Sequence, residues 1–512
     1  MKKNFPTCSW SVVAALAALP AAAQEHPNVI VIMADDLGYG DVSAYGQTSV
    51  STPNIDRLAH GGVCFTDGHA TSATSTPSRY GLFTGMYPWK NADAKILPGD
   101  APLLIPPTQF TMPKMFQQAG YQTAAIGKWH LGMGYGKIDW NKPISPSGNA
   151  IGFDYTCLIA ATVDRVPTVY VEDGRVVGLE ADDPIFVDYE RNFPGEPTAL
   201  THPELVTTHW CHGHQGTVVN GIPRIGFMKG GRRARWKDDE MAQYLLDRIE
   251  GFLDDRWQSD RPFFLYYGLH EPHVPRTPMT RFAGSTPLGP RGNVIAEADW
   301  CVGQLLDMLE ARHLLDNTLI VFSSDNGPVL DDGYDDGARE SAPLHDPNGG
   351  LRGGKYSLFD AGTRVPFFVY WKGHIRPVVN HHLVSQQDLV ASLGKLIGQE
   401  VPAGLDSEEM LDVFLGKRQG GRRRMVVEAG GRLAYRADHY ALIPPYHGAK
   451  TNETDNELGV VDDFTLYDLA ADPTQQTDVT AANPRLKERL KGEFLDLVRG
   501  YYSPATEQES LK

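Results

Sequence analysis

Cysteine is scarce, with five residues in a chain of 512. Cys8 falls in the opening segment, and Cys64, Cys157, Cys211 and Cys301 lie far apart with no C-x-x-C spacing. These four allow two disulfides in three pairings, or four buried thiols, and none is a candidate nucleophile. Basic residues are outnumbered, 47 Lys and Arg against 63 Asp and Glu, for a formal net charge of −16. An acidic protein repels polyanions at long range, which argues against nucleic acid as a partner. An anionic ligand then needs basic groups concentrated in a local pocket. No apolar run is long enough to span a bilayer, so no membrane span is expected. Internal repeats and low-complexity tracts are also missing.

What is present describes a folded globular protein: 41% hydrophobic, 10% aromatic and 21% charged residues. The 52 Gly and 36 Pro make it loop-rich without reaching the level of disorder. The length exceeds one ordinary core, and two domains with one large insertion are expected. Residues 1–23 read as a secretory signal peptide. Lys2 and Lys3 form the charged start, residues 11–19 a short apolar stretch, and Ala21-Ala22-Ala23 an A-x-A cleavage site. Cys8 precedes the apolar stretch, which argues against a lipoprotein anchor. Export across an inner membrane, to a periplasm, is the expectation.

Residues 28–34 form a continuous apolar run that ends at Asp35-Asp36, the pattern of a buried parallel strand. Helices are expected over 53–59, 112–119 and 300–309, and strands over 121–126, 263–267 and 318–322. Alternating strands and helices imply an α/β fold with a mostly parallel sheet. Residues 136–235 break the rhythm and read as an insertion beside the active site. Residues 24–420 are then one domain and 421–512 a second. In the second, 425–428 and 433–443 read as strands of a small antiparallel sheet. A helix follows from Pro484, with Leu486, Leu490, Phe494, Leu497 and Val498 on one face.

The charged clusters lie mostly just past strand ends, the edge where open α/β sheets bind ligands. Asp35-Asp36 and Asp325-Asn326 offer three carboxylates and an amide oxygen, hard ligands suited to Ca²⁺ or Mg²⁺. Each pair alone also suits a turn or a helix cap. Ser75-Thr76-Pro77-Ser78-Arg79 follows a run of small residues, which suits close approach to a helix N-terminus and its anion-attracting N–H groups. Lys128 and His130 are two apart and pair a fixed cation with a titrating base. His270-Glu271-Pro272-His273-Val274-Pro275-Arg276 holds histidines in a proline-stiffened loop, a setting for a general acid or base. Glycines around Lys355 in Arg352-Gly353-Gly354-Lys355 let backbone and ammonium approach an anion.

Taken together these blocks resemble the sulfatase family. Ser75-x-Pro77-Ser78-Arg79 with Leu82-x-Thr84-Gly85 looks like the family signature in its serine-type form. GKWHLG at 127–132, PH-x-P at 272–275, SDNG at 324–327 and RGGK at 352–355 resemble the remaining blocks, in the family's order. LYDLAADP at 466–473 resembles its C-terminal motif, and DAGTRVP at 360–366 departs from the usual EGG-x-RVP by Asp-Ala for Glu-Gly. The resemblance covers nearly all of the chain past the leader.

It implies an alkaline-phosphatase-like α/β fold, a mostly parallel sheet sandwiched by helices, with a smaller C-terminal antiparallel sheet plus helix. It implies one Ca²⁺ held by Asp35, Asp36, Asp325 and Asn326 and touched by modified Ser75. It also implies a serine-type radical maturation enzyme that oxidises Ser75 to formylglycine (3-oxoalanine). A plain serine hydroxyl is a poor nucleophile without a base, whereas a geminal diol beside Ca²⁺ and Arg79 ionises more readily. One hydroxyl would attack sulfur and the second would expel sulfate. In this scheme Lys128 and Lys355 neutralise sulfate oxygens, His273 protonates the leaving alcohol and His130 is the base. The family pattern prefers His273, between two prolines, over His270 as the acid.

The expected activity is exo-acting hydrolysis of sulfate esters on galactose or N-acetylgalactosamine of host glycans, mucin or glycosaminoglycan. His270, Arg276, His214 and His345 are candidate substrate contacts, with His212, Asp331 and Asp332. Two alternatives remain at this point: a phosphomonoesterase or phosphodiesterase using unmodified Ser75, and an inactive glycan-binding protein.

Overall fold

The computed structural model describes residues 1, 26–46, 49–257 and 261–509. Apart from Met1, the segment read as a leader lies outside the described residues up to position 23. The first strand is β1 (Asn28–Ala34), buried along its whole length. α1 (Pro53–Gly61) opens on its proline. β2 (Val63–Phe65), α2 (Ser75–Thr84), α3 (Met112–Gln118) and β3 (Gln122–Lys128) follow. Next come β4 (Tyr155–Ile159) and the edge strands β5 (Tyr170–Glu172) and β6 (Arg175–Val176). Then come α4 (Met241–Trp257), β7 (Phe263–Gly268), α5 (Gly289–Ala311) and β8 (Thr318–Ser324). β9 (Phe367–Trp371), β10 (Val378–Asn380) and α6 (Asp388–Leu396) complete this part.

Ten strands form one sheet in the order β10-β2-β9-β8-β1-β7-β3-β4-β5-β6. β8, β1, β7, β3 and β4 run parallel at its centre. β9 is antiparallel to both neighbours, and β5 and β6 close the far edge as an antiparallel pair. Alternate residues of a buried strand serve opposite layers. Val29, Val31, Met33, Phe264 and Tyr266 pack with Leu82 and Phe83 of α2, Met115 and Phe116 of α3, and Leu389 of α6. Ile30, Ile32, Leu265 and Tyr267 pack instead with Leu58 of α1, Leu245 and Ile249 of α4, and Leu305 and Leu309 of α5.

The segment expected to be an insertion therefore contributes to the central sheet through β4, β5 and β6. α5 starts eleven residues before the expected 300, because its first half is buried almost all round. A second sheet, β11 (Arg424–Ala429), β12 (Arg432–Ala437), β13 (Tyr440–Ile443) and β14 (Thr465–Asp468), is wholly antiparallel. One face sends Met425, Val427, Ala434 and Ile443 against Ala73 and Phe359 of the larger part. The other sends Val426, Leu433, Tyr435 and Leu442 against Leu490 and Phe494 of α7 (Pro484–Leu497). Leu497, expected on the same buried face, is 37% exposed. No helix among the described residues is long and apolar enough to cross a membrane.

Candidate active site

Four adjacent parallel strands, β8, β1, β7 and β3, deliver polar residues to one edge of the sheet. Asp35 and Asp36 follow β1, Lys128 ends β3, Asp325 and Asn326 follow β8, and the loop of His270 and His273 follows β7. Ser75 is the first residue of α2, so its side chain sits where the helix dipole favours negative charge. The strand ends crowd together. A Cβ on Gly127, at φ +104°, would lie 1.9 Å from the Gly268 carbonyl oxygen, so only glycine fits there. Asp36, His130 and Tyr356 hold φ of 65°, 57° and 72° without being glycine, a strained conformation that concentrates at functional sites.

Ser75 Oγ lies 2.5 Å from Asp325 Oδ2 and 2.6 Å from Lys128 Nζ. Lys128 Nζ also donates to Asp35 Oδ1 at 2.5 Å. Arg79 grips Asp325 Oδ2 through Nε at 3.0 Å and Nη2 at 2.7 Å, and its Nη1 lies 2.5 Å from the Tyr266 hydroxyl. Lys355 Nζ bridges Asp36 Oδ2 at 2.9 Å and Asp332 Oδ2 at 2.7 Å, and Tyr356 Oη donates to Asp332 Oδ1 at 2.9 Å. All of these side chains are buried. Burial works against the charge of Asp325, but Lys128 and Arg79 outweigh it and hold that carboxyl low. Asp35 goes the other way. Burial, Asp325 and Asp36 push it up, against the opposing pull of Lys128.

Both histidines of the expected chemistry face this cluster. His130 donates through Nε2 to the Leu97 carbonyl at 2.9 Å, which leaves Nδ1 without a partner. His273 has Nδ1 2.6 Å from the Val274 carbonyl and Nε2 3.8 Å from Asp36 Oδ2. Burial lowers both, helped by Lys128 at His130 and Lys355 at His273.

The donor set fits a hard cation. Asp35 Oδ2 and Asn326 Oδ1 are buried oxygens with no hydrogen-bond partner. The Asn326 amide is oriented by donating Nδ2 to Asp36 Oδ1 at 2.7 Å, which leaves its oxygen free. Unsatisfied buried acceptors of this kind cost on the order of 1–3 kcal/mol each unless a ligand takes them up.

A cavity opens over Ser75, lined also by His130, His273, Lys355, Asp332 and His214. Asp164 and Arg165 share its wall and were missed from sequence. Asp164 Oδ2 receives His214 Nε2 at 2.8 Å, and Arg165 Nη1 reaches Thr162 Oγ1 at 2.9 Å. The signal was there: an apolar run at 155–161 followed closely by Asp-Arg repeats the form of the other strand ends. Four expected substrate contacts, Asp331, Arg276, His345 and His270, do not line this cavity, whereas His212, His214 and Asp332 do. Arg276 is spent on Asp336 at 2.8 Å and on the carbonyls of Pro272, Val329 and Leu330. His345 Nε2 is 2.7 Å from Asp41, which also takes both terminal nitrogens of Arg291. His270 turns away, its Nδ1 3.3 Å from Glu271 Oε2.

A family model described as Sulfatase matches residues 27–399. The chain is 47% identical over 480 residues to a protein of Bacteroides thetaiotaomicron named N-acetylgalactosamine-6-O-sulfatase, covering 93% of each. It is 30% identical over 515 residues to human arylsulfatase A, covering 94% of this chain and 89% of that one. A solved structure from work on glycosaminoglycan metabolism by Bacteroides thetaiotaomicron matches with a TM-score of 0.90 at 46% identity, over 92% of this chain and 99% of that one.

Proposed function

The chain belongs to the sulfatase family and is a sulfuric ester hydrolase acting on glycans; from that premise we propose that its substrate is the 6-O-sulfate of N-acetylgalactosamine at the end of a glycan chain. The named relative at 47% identity supports this choice of sugar, and the cavity wall of Asp164, Arg165 and His214 supplies the donors and acceptors to hold one. In this reading residues 24–420 form the catalytic domain and 421–512 a smaller one packed against the nucleophile loop. Residues 1–23 direct export to the periplasm.

The observation that carries the site assignment is Ser75 Oγ set between Lys128 and Asp325, beside two buried oxygens that lack partners. Asp35, Asp36, Asp325 and Asn326, with the side chain at 75, would hold one Ca²⁺, which supplies fixed positive charge next to the sulfate. The formylglycine made from Ser75 by a serine-type maturation enzyme would supply the nucleophile. Lys128 and Arg79 orient the side chain at 75 and stabilise negative charge on its oxygen. Lys355 takes a sulfate oxygen, held ready by Asp36 and Asp332. His273 keeps its Nδ1–H on the Val274 carbonyl and, in its imidazolium form, would give the Nε2 proton to the leaving alcohol oxygen. His130 accepts a proton at Nδ1, the ring atom without a partner.

The test is the mass of the tryptic peptide across Ser75, on protein made with a serine-type maturation enzyme, alongside sulfate release from 6-O-sulfated N-acetylgalactosamine. Loss of one H₂ with turnover is the expected result. Full turnover with unmodified serine would overturn the modification, and turnover confined to another sulfated sugar would overturn the substrate.

A further inference from the structure

His270 lies three residues before His273 and does not line the cavity over Ser75. With Glu271 and, from α5, Glu297, it forms a separate buried cluster whose ligand atoms lie within 4.8 Å of one another. All three residues are at least nine-tenths buried. No ion pair to Lys or Arg reaches either glutamate among the described residues. His270 Nδ1 and Glu271 Oε1 find no hydrogen bond. Glu271 Oε2 accepts from the His270 N–H at 3.0 Å, and Glu297 Oε2 from the Met279 N–H at 2.6 Å.

Two carboxylates buried side by side without a cation are unfavourable. Burial lowers His270 to about 4, so its imidazole is neutral, the form that ligates metals.

We propose that His270, Glu271 and Glu297 form a second metal site, for a first-row divalent cation of the zinc kind. One imidazole nitrogen and two carboxylates suit such an ion better than calcium, which prefers oxygen alone. A cation roughly 2.0–2.2 Å from each ligand needs them roughly 3–4 Å apart, a contraction that side-chain rotation supplies. The ion acts as a clamp. The Glu271 carbonyl accepts the Asp35 N–H at 3.0 Å and the His270 carbonyl accepts the His273 N–H at 3.1 Å. Tying these residues to Glu297 fixes α5 to the loop that carries His273 and backs Asp35.

The experiment is elemental analysis of the full chain, purified without chelator or a metal-affinity tag, then titration with Zn²⁺ and with Mn²⁺. One equivalent of a first-row metal, lost in Glu297→Gln and in His270→Ala while calcium content is kept, is the expected result. No first-row metal, with no uptake of either ion, would overturn the proposal, as would equal uptake by both variants. If the variants do not fold, anomalous scattering from wild-type crystals soaked in Zn²⁺ decides. A peak between the three side chains supports the site, and a peak elsewhere or none overturns it. Either failure leaves the sulfatase chemistry at Ser75 untouched.

Discussion

Two buried acidic clusters, one at Ser75 and one at Asp67, use the same residue types and treat them differently. At Asp67 every acceptor is matched. Asp67 takes His69 Nε2 at 2.8 Å and Arg436 Nη2 at 3.1 Å, and Asp360 takes Arg364 Nη1 at 3.0 Å and Arg436 Nη1. His69 Nδ1 finds Thr363 Oγ1 at 2.9 Å. Burial opposes both carboxylate charges there, but Arg436 outweighs it and both carboxyls are lowered. At Ser75 three cations are present, yet Asp35 Oδ2 and Asn326 Oδ1 stay unmatched and Asp35 is raised. A network that serves the fold closes on itself, whereas one that serves a ligand leaves acceptors open. Asp35, Asp36 and His273 in one cluster, and Asp67, His69 and Asp360 in the other, each bring three ligand-type atoms within 4.8 Å of one another, so the open acceptors are what separates them.

The largest effect that would test this contrast is on turnover. Ser75→Ala should cut sulfate release by roughly 10⁴-fold or more with the melting temperature kept, because the nucleophile is lost and the frame is not. Retained turnover would break the assignment. Lys355→Met should lower kcat/KM by about 10²–10³-fold, the scale of one lost charge-stabilising donor. Steady-state kinetics would show it, and calcium content should be unchanged. On the matched side, Arg436→Met leaves two carboxylates without their shared cation. It should cost about 3–5 kcal/mol in urea unfolding with kcat of the folded enzyme unchanged. A fall in kcat without a fall in stability would reverse the roles of the two clusters.

The smallest effect concerns Glu428, which sits in the seam between the two sheets. Burial, then Glu509, raises its carboxyl from 4.5 to about 8. The native state therefore binds the proton more tightly between those pH values, and stability falls as pH rises through them. Glu428→Gln should flatten that slope and raise stability at pH 8 by on the order of 2 kcal/mol, read by unfolding across pH.

The strand ends were legible because each pairs an apolar run with turn residues, and the charged blocks sit just beyond. Asp35, Asp36, Lys128, Asp325 and His273 were found that way. Other features were hidden by burial. The first half of α5 carries Arg291, Asn293, Glu297 and Asp299, which look like a break in the apolar pattern, yet all four are buried with partners inside. Asp299, for one, takes the N–H groups of Asn54 and Ile55 at 2.9 and 2.8 Å. The split of residues 433–443 into β12 and β13 was invisible because the turn uses no glycine or proline. Asp438 makes it at φ 49°, a conformation that Asp tolerates. Arg276 misled for the opposite reason: a polar residue in a promising loop can be spent wholly on internal partners.

The nucleophile loop is held from both sides by backbone. The Ala73 N–H donates to the Glu428 carbonyl in β11 at 2.8 Å, and the Tyr356 N–H to the Ala73 carbonyl at 3.0 Å. Ser75 itself is only 4% exposed. An enzyme that oxidised this residue, as proposed above, would therefore have a deadline, set by the ribosome. β11 is made about 350 residues after Ser75. At ordinary rates of synthesis the loop stays reachable for roughly 20 to 70 seconds before its closing partner exists. A molecule that folded before such modification would have no way back short of unfolding, and the active fraction of a preparation would then measure a race between two clocks.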